Sequence, residues 1–274
     1  MTPRLPSEGT RATRLKVVTF NTWKCDGDYA LRLEAMCQQM KALQADVVAL
    51  QETFATFDGT TDTARVLARS LGMQLHTAPA RRKMRRFQGE WVDSFSSLTV
   101  LSRLPIRSGE QMELPSTVAD GGRLAQFCSL EVDGKSVLLI NAHLSHLPQS
   151  EGGGALRAQQ LRTLLDQSAQ MPQHDLTLLC GDFNAAMDSA ELSPFMRPPW
   201  ALLDAFAQAG GAEKFTYRTP EGQGLNLDHI LCVPSCSHMA VDYLDASVAL
   251  NAPMQPPDVL PSDHVGVCVT FSLG

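Results

Sequence analysis

Asp175-Leu176-Thr177-Leu178-Leu179-Cys180-Gly181-Asp182-Phe183-Asn184 is the stretch whose reading decides the fold. Leu176 to Cys180 are apolar or β-branched with no turn former among them, and predict a short buried strand. Gly181 then permits a tight turn, and Asp182 and Asn184 follow two residues apart. A buried strand that ends in two short polar side chains presents them at a sheet edge, where a ligand can sit. Asp offers an acceptor or a base, and Asn offers donors and an acceptor. Gly, Asp and Asn are also common turn residues, so this segment read alone leaves a plain turn open.

Other segments repeat the pattern. Leu15 to Phe20 reads as a strand ending at Asn21, and Asp28 to Leu43 as an amphipathic helix with Asp28 as N-cap. Val47 to Leu50 is a second strand, ending at Gln51-Glu52, so strand, helix and strand fit a parallel crossover. Thr60 to Leu71 predicts a helix stopped by Gly72, with strands over Met73–Thr77 and Phe95–Leu101. Leu124–Val132 and Ser136–Asn141 flank Asp133-Gly134, a hairpin signal, and the second strand runs out at His143. Gly152-Gly153-Gly154 reads as a flexible loop before a helix over Ala155–Gln170. It lacks the Lys-Ser/Thr pair of a phosphate-binding loop. Trp200–Gln208 predicts a short helix, Asn226–Cys232 a strand with Asp228-His229 in its middle, and Met239–Leu244 another strand. A Pro-rich loop (Pro253, Pro256, Pro257, Pro261) leads to Ser262-Asp263-His264 and a closing strand, Val265–Phe271.

The whole-chain properties narrow the class. A length of 274 residues allows a large core, with 44% hydrophobic and 19% charged residues typical of soluble globular proteins. The net charge of −6 supplies no global basic field for nucleic acid, although metals bound by a nuclease would supply local positive charge. No stretch is long and apolar enough to span a membrane, and the polar N-terminus has no signal-peptide core. Of the seven Cys, Cys37, in an expected helix, and Cys128, Cys180, Cys232 and Cys268, in apolar strand-like runs, read as small buried hydrophobes of a reducing, cytoplasmic compartment, and Cys232 and Cys236 are too isolated for zinc. Arg81, Arg82, Lys83, Arg85 and Arg86 form the one basic cluster, read either as a solvated loop or as a grip on substrate phosphates. Phe87, Trp91 and Phe95 near it would stack on bases, enter the core or touch an acyl chain.

Collected at or beside strand ends are Asn21, Glu52, His143, Asp182, Asn184, Asp228, Asp263 and His264. Strand ends of an aligned sheet converge on one rim, where α/β proteins bind ligands. Unpaired carboxylates in one pocket repel, and a divalent cation removes that penalty. Oxygen donors favour Mg²⁺, with Mn²⁺ as a substitute, over zinc.

Six segments in order give the chain a family resemblance: Thr19-Phe20-Asn21, Leu50-Gln51-Glu52, Asn141-Ala142-His143-Leu144, Gly181-Asp182-Phe183-Asn184, Leu227-Asp228-His229-Ile230 and Ser262-Asp263-His264. Together they resemble the endonuclease/exonuclease/phosphatase superfamily, metal-dependent phosphoesterases with a DNase I-like fold. The resemblance implies an α/β four-layer sandwich, two mixed sheets packed face to face with helices outside. It implies one such domain over residues 14–274, after a flexible arm at 1–13.

By the same resemblance, Glu52 would be the chief metal ligand, helped by Asn21 and Asp263. Asp182 would orient or deprotonate the attacking water, Asn184 would hold the scissile phosphate, and His264, braced by Asp228, would donate to it. His143 would stabilise developing charge or assist the leaving oxygen. Arg81, Arg82, Arg85 and Arg86 are the candidate substrate contacts.

Two departures stand out. Trp23 occupies the place where members acting at abasic DNA usually have Asp, and His229 replaces a more usual Tyr. Nor does the chain carry the motifs of inositol-polyphosphate 5-phosphatases, since Cys180 precedes Gly181 where they have Trp.

The expected activity is therefore Mg²⁺-dependent phosphoester hydrolysis, on a phosphodiester of nucleic acid or on a phospholipid head group or small phosphoester. The alternatives are a phosphomonoesterase or a non-catalytic binding module on the same fold. No protein partner is inferred, and no Gly-x-Ser-x-Gly elbow supports a serine hydrolase.

Overall fold

The computed structural model describes residues 13–212, 215–254 and 258–274. Pro256, Pro257 and all of the expected N-terminal arm except Thr13 lie outside the described residues. The first half of the chain forms β1 (Thr13–Asn21), α1 (Tyr29–Leu43), β2 (Val47–Thr56), α2 (Thr63–Leu71), β3 (Gln74–Phe87), β4 (Glu90–Ser102) and β5 (Ile106–Leu114). The middle forms β6 (Arg123–Val132), β7 (Lys135–His143), α3 (Gly153–Ser168), β8 (Leu176–Asp182), β9 (Leu203–Asp204) and α4 (Ala205–Gln208). Last come β10 (Tyr217–Arg218), β11 (Gly224–Leu225), β12 (Asp228–Cys232), β13 (Val241–Ala249) and β14 (Gly266–Leu273).

Two six-stranded mixed sheets carry the fold, in the orders β13-β14-β1-β2-β4-β3 and β5-β6-β7-β8-β12-β9. Each holds one parallel pair, β1 with β2 and β7 with β8, and each parallel pair is joined through a helix, α1 or α3. Period-2 alternation then sorts the side chains into layers. Val17, Val47, Val100, Leu139, Leu178, Cys180 and Val269 form the core between the sheets. Val18, Phe20, Val48 and Leu50 point the other way, onto Met36, Met40, Leu67 and Leu71 of α1 and α2. Leu138, Ile140 and Leu179 pack on Leu161, Leu164 and Leu165 of α3. The result is the α/β four-layer sandwich expected. All seven Cys are free thiols, five of them buried.

Asp28 caps α1 through a hydrogen bond from the Leu31 amide, and Gly72 ends α2 in the left-handed conformation. Several boundaries differ from the sequence reading for physical reasons. The basic cluster is in a strand rather than a loop: β3 runs for 14 residues, paired with β4. β5 escapes sequence reading because it is an edge strand whose side chains are mostly exposed, so it shows no alternation. Gly153 and Gly154 open α3 instead of forming a loop, since a Cβ on Gly153 would lie 1.8 Å from the Leu147 carbonyl oxygen. The helix expected over 200–208 is confined to Ala205–Gln208, with Ala201 left-handed at φ +48° and Leu203–Asp204 paired to β12.

Candidate active site

Backbone register builds the floor of the site. His143, Asp182 and Asp228 stand in one row across β7, β8 and β12, because His143 pairs with Asp182 and Asp182 pairs with Asp228. Asp228 is the first residue of β12 rather than its middle. Gly181 belongs to β8 and makes no turn; its φ is +150° and a Cβ there would sit 1.9 Å from the Ala142 oxygen. Its lack of a side chain lets β7 and β8 close up just before this row.

Asp182 is the hub. Its Oδ2 accepts a 2.9 Å hydrogen bond from Asn21 Nδ2, at the end of β1 in the other sheet. The same oxygen lies 3.5 Å from His143 Nε2 and 3.8 Å from His264 Nε2. Its Oδ1 accepts from the Asn184 amide at 2.9 Å. Asn184 is left-handed at φ +52° and donates Nδ2 to the Leu144 oxygen at 3.1 Å. Burial and the nearby Asp228 raise the Asp182 carboxyl, against the pull of His264 and Asn21.

His264 leans on Asp228 through a 2.8 Å contact at Nδ1, and the Tyr217 ring lies 5.0 Å from its own. Thr216 organises this corner, its hydroxyl accepting from the Leu227 and Asp228 amides. Burial opposes a charged imidazole, but Asp228 and Asp182 outweigh it and raise His264 to about 10. His143 is the reverse. Burial first, then Arg123 and His264, hold it well below the ordinary imidazole value, so it is neutral. One donor atom each of Asp182, Asp228 and His264 lies within 4.8 Å of the others. An imidazolium has no free lone pair for an ion, so this triad reads as a cation held between two carboxylates, hydrogen-bonded to Asp228 and 3.8 Å from Asp182, rather than a ligand set.

The oxygen-rich side of the cleft fits a hard cation better. Glu52 sits within β2, not at its end, where a bulge sets Gln51 and Glu52 against the single residue Leu98 of β4. Glu52 is left-handed at φ +57°, and its carboxylate faces Lys24 Nζ at 2.9 Å. Asp263, half-buried and bonded by the Ser262 hydroxyl at 3.1 Å, is pushed up by burial and by Glu52, with His264 opposing. Two carboxylates facing one cleft, with an ammonium seated on one, form a site short of positive charge. Asn21 completes the set, its Oδ1 accepting from the Trp23 amide at 3.0 Å.

The basic cluster is divided by strand alternation. Arg81 lines a small cavity with Glu52, Arg123 and His143, and Lys83 feels the charge of Glu52. Arg82 faces away, bound to Asp93 at 2.5 Å and laid over Phe57 at 3.7 Å. Arg85 is buried and donates to the Ser94 oxygens, so its guanidinium is engaged within the β3–β4 pair. Arg86 is exposed and stands across from Trp91, itself 64% exposed. Phe87 packs against Tyr29 and Phe54, and Phe95 lies against Phe57. His229 is fully buried, bonded to the Ala185 oxygen at 3.0 Å and packed on Phe183. Lys24, Arg123 and Tyr217 did not emerge as site residues from the sequence. Only the nearness of Lys24 to Asn21 and of Arg123 to Gly121-Gly122 hinted at them.

A family model for the endonuclease/exonuclease/phosphatase family matches residues 18–264. The chain belongs to the endonuclease/exonuclease/phosphatase family. Most members of this family are metal-dependent phosphoesterases. Among solved structures, the family protein from Bacteroides vulgatus is 17% identical with a TM-score of 0.73, over 96% of this chain and 100% of that one. A family protein from Beutenbergia cavernae is 22% identical with a TM-score of 0.73, over 96% of this chain and 72% of that one. D. rerio TDP2, crystallised with a single-strand DNA product, is 18% identical with a TM-score of 0.72, over 94% of this chain and 99% of that one. These likenesses carry the DNase I-like fold. No curated protein matches the chain. No helix among the described residues is long and apolar enough to cross a membrane.

Proposed function

We propose that this chain is a Mg²⁺-dependent phosphodiesterase that hydrolyses nucleic acid by direct attack of an activated water, with Mn²⁺ able to substitute. The observation that carries the reading is the convergence on Asp182 of Asn21, His143, Asn184 and His264 from both sheets. A non-catalytic scaffold has no physical need to bury a carboxylate among so many polar partners.

Glu52, Asn21 and Asp263 would hold the ion. When bound, it would neutralise the carboxylates and polarise a phosphoryl oxygen. Asp182, raised toward the range of a general base, orients the attacking water and takes its proton. Asn184 holds a non-bridging oxygen of the scissile phosphate through its side-chain amide. His264, kept positive by Asp228, stabilises the charge that grows on that phosphate. His143, neutral and half-buried, donates Nε2–H toward the departing oxygen. Arg81 and Lys83 present positive charge beside this rim, which suits a further phosphate of a polyanion. The single-strand DNA held by D. rerio TDP2 supports the same substrate class.

The test is hydrolysis of bis-p-nitrophenyl phosphate, then of single-stranded DNA, double-stranded DNA, RNA, sphingomyelin and inositol phosphates. We expect turnover with Mg²⁺ or Mn²⁺, none with EDTA, loss in Glu52→Gln, and preference for a nucleic acid. Metal-independent turnover, or none at all, overturns the reading. Preference for a lipid head group keeps the chemistry and replaces the substrate.

A further inference from the structure

Lys24 is the one ammonium seated against a carboxylate of the proposed ion site among the described residues. Its Nζ lies 2.9 Å from Glu52 and 3.5 Å from Asp26, with 26% of the side chain exposed. The backbone that aims it is disfavoured. Trp23 and Lys24 are consecutive non-glycine residues in the left-handed region, at φ +54° and +45°. Such strain persists only where the surroundings impose it.

Here the surroundings do so through Arg32, which is buried and has only backbone acceptors. It donates to the carbonyl oxygens of Thr22 and Asp26, on either side of the turn. A third bond reaches the Pro261 oxygen at 3.1 Å, and the guanidinium lies 4.6 Å from the centre of the Trp23 ring. The turn is therefore clamped from both ends, in the orientation that points Lys24 at Glu52. A lysine serving only as a surface ion pair needs no such mounting.

We propose that Lys24 is a resident counter-cation of Glu52 that sets the affinity of the metal site by competing with the divalent ion. The inference rests on the metal reading given above. Without an ion, Lys24 offsets the repulsion between Glu52 and Asp263. An arriving ion and the ammonium cannot share one carboxylate without mutual repulsion, so binding requires Lys24 to withdraw. Asp26, already at 3.5 Å, is the acceptor it withdraws to. The site then takes up a divalent ion more weakly than its oxygen donors alone would allow.

Calorimetric titration of the metal-free protein with Mn²⁺ tests this in wild type, Lys24→Met, Lys24→Gln and Lys24→Arg. We expect both neutral variants to bind Mn²⁺ about three- to tenfold more tightly than wild type, the range set by a partly exposed charge pair. Lys24→Arg, which keeps the charge, should stay within about twofold. The gain in melting temperature on adding Mn²⁺ should be larger in the neutral variants than in wild type. Unchanged or weaker Mn²⁺ binding by Lys24→Met and Lys24→Gln, with wild type binding normally, overturns the role of Lys24. Wild type that binds no Mn²⁺ at all instead overturns the metal reading itself.

Discussion

Asn21 and Asp182 end central strands of different sheets, and the 2.9 Å hydrogen bond between them ties the two sheets together at the site. The bond also orients the carboxylate that the proposed mechanism uses as base. Removing it leaves a buried acceptor short of a donor, at a cost of about 1–3 kcal/mol. Asn21→Ala should therefore lower kcat/KM by roughly 10- to 100-fold. Steady-state kinetics alongside a thermal melt checks this. A full loss of folding, or unaltered kcat/KM, would detach the bond from catalysis.

The Asp228–His264 pair predicts a pH dependence of definite sign. His264 is raised from 6.5 to about 10: burial works against the charge and Asp228 overcomes it. The basic limb of the rate profile should lie near that value in wild type. In Asp228→Asn the attraction is lost while burial remains, so the limb should move to lower pH. The stability linkage runs the same way. A folded pKa above the unfolded one gives stabilisation that is complete below about 6.5 and vanishes as pH rises through about 10. Chemical denaturation of wild type and Asp228→Asn should thus show a gap at pH 6 that closes by pH 10.5. Superimposable profiles would remove Asp228 from this role.

Gly181 allows a sharper test of the β7–β8 contact. A methyl group there would meet the Ala142 oxygen at 1.9 Å, on backbone, so the strands must part. Gly181→Ala should shift Asp182 and reduce turnover by at least about 100-fold, since displacements near 1 Å have that effect. The melting temperature should also fall by several degrees. Near-normal turnover would mean that the strands can separate without moving the carboxylate.

The alternation in β3 separates arginines that look equivalent in sequence. Arg81→Ala should raise KM for a polyanionic substrate several-fold and reduce the salt dependence of binding. Arg82→Ala should leave KM within about twofold, because that guanidinium is committed to Asp93 and Phe57 on the other side. Equal effects from the two would contradict the division of the strand.

Where strands end in polar residues, the sequence was readable in detail. Asn21, His143 and Asp182 each close an apolar run, and the fold sets them where that pattern points. Glu52 was harder, because its place depends on a bulge against Leu98, and no local signal announces a bulge formed with a strand over forty residues away. β5 was hidden by its exposure, as an edge strand need not alternate. Arg81 to Arg86 looked like a loop because charge density suggests solvent, while pairing with β4 keeps the segment extended. Lys24 could not be linked to Glu52 at all, since the left-handed turn that joins them is imposed by Arg32 from another element.

The bulge in β2 makes this chain vulnerable to changes of spacing as well as to changes of identity. Leu50 pairs with Thr99 and Thr53 with Ser97, so one surplus residue separates the two halves of the strand. Deleting it would let the strand pair regularly and invert everything beyond, sending Phe54 from its aromatic pocket toward the opposite face. Natural variation in this lineage is therefore expected to hold fixed both the count of residues between Leu50 and Thr53 and the carboxylate at Glu52.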